Sequence, residues 1–377
     1  MNFLDNLVAD TLVCSLCIAM VCYVVYLNRK HLFRNDVSPS VGTGLFILWL
    51  TITIYSALYC PHGGDNWRSG TSFYYPYIER GEENHFESFY FRTMDLVPYG
   101  YVLWRIFVWG ILGASSYIVL SQKLRIDKHI STLACLTFAL PELFYYQRAI
   151  AGYCLMYIAL ALYYSRKEQK TRGLKSYLLP ICLIGIALIF HNAMPFYIFV
   201  LIVSILTPLN RTSFITVIAL SFIASLSLSD YAIMFLESTM TDTYDVGMNY
   251  LNQEYENNRN IFGRLFVILE KLPVWVLLLY SFYKHVFKGL YLSRLEQVLL
   301  VNAGLLVLVS IMFSKSNGVI EGKFYTASML PFTLYLALFY QRYRGCKFCN
   351  MFVYLTLACL IITNGYAILT NTFYHID

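Results

Sequence analysis

Twelve apolar runs leave this 377-residue chain almost no sequence from which to build a water-facing fold. Read with a window of about 19 residues, they lie near 8–27, 42–60, 97–120, 130–146, 149–164, 177–192, 194–207, 213–229, 265–283, 296–313, 324–340 and 350–370. A helix that crosses a bilayer needs about 20 mostly apolar residues. The runs therefore predict an all-α polytopic membrane protein with about twelve transmembrane helices. Charged residues make up only 13% of the chain, too few to cover soluble domains of this size. Mean hydropathy is +0.56. Residues 1–377 read as a single integral membrane domain, with no internal repeat and no low-complexity tract. The first run lacks a basic n-region and an A-x-A-like cleavage site, so a retained helix is expected there.

Lys and Arg set the expected orientation. Eighteen of the 28 cluster at Arg29–Arg34, Lys123–Lys128, Arg166–Lys175, Arg211, Lys284–Arg294 and Arg342–Lys347, which are alternate connections. The other connections hold seven: Arg68, Arg80, Arg92, Arg148, Arg259, Lys315 and Lys323. The basic side is the cytoplasmic one, so both termini are expected outside. Two long external loops follow, about 61–96 and 230–262, each with six carboxylates. An elaborated outer surface suggests work on something outside the cytoplasm.

The 33 Tyr, 27 Phe and 5 Trp fit interfacial belts, and tyrosines also stack on sugars. The ten cysteines form no disulfide framework; most fall within apolar runs as small hydrophobes. Cys346 and Cys349 make a C-x-x-C among basic residues, without the two further ligands that zinc needs nearby.

Charges at membrane depth are costly and mark candidate sites. Arg148 stands between two runs of about 16 residues with no polar turn between them, and Pro141 breaks the first. A sharp re-entry at the outer face would set Arg148 near the first turn of the next helix. Free N–H groups and a guanidinium there favour an anion such as phosphate; snorkelling to the headgroups is the alternative. His191 ends the sixth run on the same side, as a general base, a hydrogen-bonding partner for substrate, or a helix-end hydrogen bonder. Arg105 pairs with an acid such as Asp95 or Glu142, or contacts substrate. Glu270 and Lys271 precede Pro273 at the start of the ninth run and read as structural. In the first external loop, Gly63 and Gly64 permit a tight turn that places Asp65 and Arg68 near the helix mouths, with Tyr74, Tyr75 and Tyr77 following. Gly318–Lys323 is not a P-loop, since its spacer is one residue short and Phe324 follows the lysine.

Across nearly the whole chain these segments resemble the EpsG-like family of exopolysaccharide polymerases, relatives of the Wzy-type repeat-unit polymerases. The resemblance rests on Gly64-Asp65 before a tyrosine-rich stretch and on Asp95-Leu-Val-Pro-Tyr99-Gly-Tyr101. It continues with Pro141 and Gln147-Arg148-Ala149-Ile150-Ala151, Phe190-His191-Asn192-Ala193 and Lys323-Phe324-Tyr325. Lys323 stands where the family often has arginine, and Asp95 where glutamate is expected.

The resemblance implies a GT-C-like polymerase architecture in the bacterial cytoplasmic membrane, acting at its outer face without metal or other cofactor. Donor and acceptor would be glycans on undecaprenyl diphosphate, and a flippase and a chain-length regulator would be partners; nucleic acid would not. Arg148 would stabilise the departing diphosphate, assisted by Lys323 and Arg68. Asp65 or His191 would be the base for the acceptor hydroxyl. Arg105, Tyr74 and Tyr325 would contact substrate. Rival readings are a flippase for lipid-linked oligosaccharides, which should carry charges near the midplane, a membrane acyltransferase that decorates glycans, and a non-catalytic scaffold.

Overall fold

The structure, a computed structural model, describes residues 147–168, 175–190, 193–207, 209–213, 215–216, 219, 261–313, 318–343 and 345–374. Among these residues the regular structure is helical, with no strand. The helices are α1 (Gln147–Glu168), α2 (Lys175–Phe190), α3 (Met194–Leu206), α4 (Ile261–Lys288), α5 (Arg294–Phe313), α6 (Gly318–Arg342) and α7 (Lys347–Tyr374). Each lies on one of the apolar runs from 149 onward, 213–229 apart. That run is described at only a few positions, and the four runs before 147 lie outside the described residues, as do the loop 61–96 and the loop 230–262 up to residue 260.

Four of the helices, α1, α4, α6 and α7, extend past their apolar segments at both ends. At 1.5 Å per residue, the 28 residues of α4 and of α7 extend roughly 42 Å. One consequence is a correction: α4 begins at Ile261, so Glu270 and Lys271 sit well inside the helix and not at its start. Among the described residues one helix, α5 (20 residues), is long and apolar enough to cross a bilayer, with an 18-residue stretch of mean hydropathy 2.0.

Local chemistry sets several ends. Ser293 and Glu296 form a capping box at the start of α5. The Ser293 N–H donates to Glu296 Oε2 at 2.6 Å, and the Glu296 N–H donates to Ser293 Oγ at 3.3 Å. Gly289 ends α4 at φ 67°, a left-handed conformation that a Cβ disfavours. The following Leu290 N–H returns to the Lys284 carbonyl. At α7, the Cys346 carbonyl accepts the Asn350 N–H at 3.0 Å, and Cys346 Sγ accepts the Cys349 N–H at 3.4 Å.

The described residues fall into two compact units: one up to Phe196 and from Leu336 onward, the other Tyr197–Tyr335. In the first, α1 packs on α2. Ala151, Cys154, Tyr157 and Ala161 recur at helical spacing and are almost fully buried. Gly152 lies against Met194, where an added Cβ would come within 2.5 Å of Sδ.

In the second unit, α5 carries the core through Val298, Leu299, Leu300 and Ala303. Polar side chains tie it to α3. The Arg294 Nη2 donates to the Ile205 carbonyl at 2.6 Å, and Asn302 Nδ2 donates to Ser204 Oγ at 3.2 Å. Ser204, Asn302, Ser310, Ser328 and Thr333 are buried, whereas Leu178, Ile181, Phe199, Leu206 and Leu279 are more than half exposed.

Candidate functional site

The sequence candidates inside the described residues are Arg148, Lys323 and Tyr325. Arg148 is the second residue of α1. The first four N–H groups of a helix have no acceptor within it and carry the positive end of its dipole. Arginine is also a residue type suited to a phosphate oxygen. Arg148 belongs to the first compact unit; Lys323 and Tyr325 belong to the second. Asp65, Arg68, Tyr74, Arg105 and His191 lie outside the described residues, as do Asp95 and Glu142.

Lys323 and Tyr325 occupy the second turn of α6, which begins at Gly318. Aromatic packing holds that end of the helix. The Phe324 ring stacks on Phe313 with centroids 6.0 Å apart and meets Tyr197 edge-on at 5.6 Å. Ser310 Oγ donates to the Glu321 carbonyl at 2.9 Å, fixing the first turn of α6 to α5.

Four residues separate Glu321 from Tyr325, so both lie on one face of α6. Lys271 of α4 meets that face. Its Nζ forms an ion pair with Glu321 Oε1 and stands 5.4 Å from the Tyr325 ring centroid. The paired side chains are only 15% and 17% exposed. Tyr325 is 5% exposed, so its ring acts here as a floor beneath the lysine. Lys323 is half-buried. At about 100° per residue it is turned some 160° from the Glu321–Tyr325 face.

In the sequence Lys271 reads as structural, and nothing singles out Glu321. Their partnership spans fifty residues and has no local signature. The usable signal was weaker: charged residues set against long apolar runs have to find an opposite charge or water somewhere.

No family model matches this chain, and no curated protein or solved structure matches it either.

Proposed function

We propose that the chain is a polytopic membrane glycosyltransferase of the EpsG-like, Wzy-related kind. It polymerises undecaprenyl-diphosphate-linked repeat units into a capsular, O-antigen or exopolysaccharide at the outer face of the bacterial cytoplasmic membrane. In this reading about twelve helices span the bilayer in a GT-C-like arrangement, with both termini outside. The all-helical described region supports a bilayer setting. Its helices bury serine, threonine and asparagine while large aliphatic side chains face outward, an economical arrangement when the surroundings are lipid.

The observation that carries the reading is the position of Arg148 in the first turn of α1. Transfer breaks the bond between the donor's anomeric carbon and its diphosphate oxygen. It forms a bond from that carbon to an acceptor hydroxyl, whose proton goes to a base. Negative charge grows on the departing diphosphate, and the positive charge of Arg148 stabilises it most at the transition state. Asp65 or His191 takes the hydroxyl proton. Lys323, Arg68, Arg105, Tyr74 and Tyr325 bind the substrates.

Replacing Arg148 with alanine tests this in a producing strain. Polymer should disappear while lipid-linked single units accumulate; long polymer from a strain whose only copy is Arg148→Ala removes Arg148 from the mechanism. His191→Ala should slow chain growth with the protein still in the membrane, and an unchanged chain-length distribution returns His191 to a helix-end role.

One observation favours the flippase reading. Lys271, well inside α4, forms an ion pair with Glu321 in the first turn of α6, and a carrier needs charged side chains among its helices. A carrier would move lipid-linked units across a bilayer without lengthening them.

A further inference from the structure

The junction of α6 and α7 holds a pair of thiols that the proposed chemistry does not use. Cys346 and Cys349 lie three residues apart, in the same compact unit, and both are thiols. Cys346 immediately precedes Lys347, the first residue of α7. Its backbone is held from both sides. The Cys346 N–H donates to the Tyr343 carbonyl at 2.8 Å, closing the turn after α6, and the Cys346 carbonyl accepts the Asn350 N–H at 3.0 Å, opening α7. Residues three apart in a helical turn have Cα atoms about 5 Å from each other, inside the roughly 4.4–6.8 Å that a disulfide spans.

The contacts aim Cys349 at the sulfur of Cys346. Cys346 Sγ accepts the Cys349 N–H at 3.4 Å, so it lies over the first turn of α7. A second hydrogen bond reaches it from the Cys349 side chain. Both favour the Cys346 thiolate over its thiol. Exposure divides the two residues: Cys346 is exposed and Cys349 half-buried. At Gly345 an added Cβ would meet nothing within 4 Å, so the chain just before Cys346 is open to an approaching molecule. In sequence Arg342, Arg344 and Lys347 flank the pair, and no carboxylate occurs between Glu321 and Asp377. Such cations favour a thiolate and attract an anionic reactant.

We propose that Cys346 and Cys349 form a reversible dithiol–disulfide site whose reactant is an anionic low-molecular-weight disulfide. An exposed attacking thiol beside a partly shielded second thiol is the arrangement that this exchange needs. A disulfide takes two sulfurs only, whereas zinc would need two further ligands. The Cys346 thiolate attacks one sulfur of the reactant, and the thiolate expelled takes up the proton that Cys346 released. Cys349 then loses its proton and attacks Cys346 Sγ, and the second half of the reactant leaves with that proton as a thiol. Two protein thiols are oxidised to one disulfide, and one external disulfide is reduced to two thiols. The sequence pattern assigns the flanking cations to the cytoplasmic side, where thiols are kept reduced. The pair therefore rests as the dithiol and closes when the oxidised reactant accumulates. The exchange itself rests neither on glycosyl transfer nor on the bilayer setting.

Glutathione disulfide is the probe. The purified full chain, in detergent, is equilibrated with glutathione buffers of rising disulfide content. Remaining thiols are blocked with N-ethylmaleimide, disulfides are reduced, and the sulfurs released are labelled with the deuterated reagent and located by mass spectrometry. The second label should appear on Cys346 and Cys349 together and in equal amounts. Without the reduction step, tryptic cleavage after Lys347 should leave the peptides on either side joined and free of glutathione. Cys349→Ser should stop the exchange at its first step, with glutathione bound to Cys346. Cys346→Ser should abolish oxidation of Cys349 over the same buffers. Both cysteines unlabelled by the second reagent throughout the series would overturn the site. So would a parent chain that keeps glutathione on Cys346 without closing, or a Cys346→Ser chain that takes up glutathione at Cys349 as readily as Cys349→Ser does at Cys346.

Discussion

At the scale of single residues, the ion pair between Lys271 and Glu321 is the most consequential feature that no local pattern announced. Removing one member of a mostly buried pair strands the other charge, at a cost of about 3–5 kcal/mol. Lys271→Met should therefore lower thermal stability of the purified protein sharply. Adding Glu321→Gln should restore most of the loss. If the single replacement left the unfolding midpoint unchanged, the pair would not be a stabilising contact. Cys346 has a gentler consequence. Hydrogen bonds from the Cys349 backbone and side chain hold its thiol below the usual range, because they favour the thiolate. The sign is that of a depressed acid, so the reactive anion persists to lower pH than in an ordinary cysteine. Alkylation of Cys346, followed by mass spectrometry, should plateau at lower pH than that of an exposed model thiol. Cys349→Pro removes both donors and should move the profile upward; proline is tolerated in a first helical turn.

Among elements, apolar periodicity located the helices and misplaced their ends. Segments 149–164, 177–192, 194–207, 296–313 and 350–370 each fall on a helix whose bounds differ by a few residues. The error is larger at 265–283, because a window that seeks apolar residues stops at Arg264, while the backbone runs on to Ile261 and Lys288. Arginine, lysine and glutamate are good helix formers, and nothing in an α-helix requires it to end where its apolar stretch does. The start of α5 was legible in principle, since Ser293 and Glu296 stand at the S-x-x-E spacing. Ser293→Ala should cost about 1 kcal/mol of stability, read as a shift in the unfolding midpoint; no shift would show that the cap contributes nothing beyond packing. Arg148 in the first turn of α1 followed from the missing polar turn before Ala149. The partnership of Lys271 did not: its helix was legible, but its ion pair with Glu321 and its place over Tyr325 emerge only from the contact between α4 and α6.

For the molecule as a whole, the exposed aliphatic side chains and the few buried hydroxyl and amide groups of the described helices, with the first-turn arginine of α1, support the function proposed above. In that proposal lipid surrounds the chain, and cations near helix ends act on the phosphates of lipid-linked glycans. The central claim is that this protein lengthens glycans and does not merely carry them. The most direct measurement supplies purified protein in liposomes with lipid-linked repeat units, and no nucleotide sugar or added metal, then resolves the glycans by size. The account predicts a ladder of increasing length that Arg148→Ala abolishes. Single units that cross the bilayer unchanged, with no ladder at any time, would contradict it.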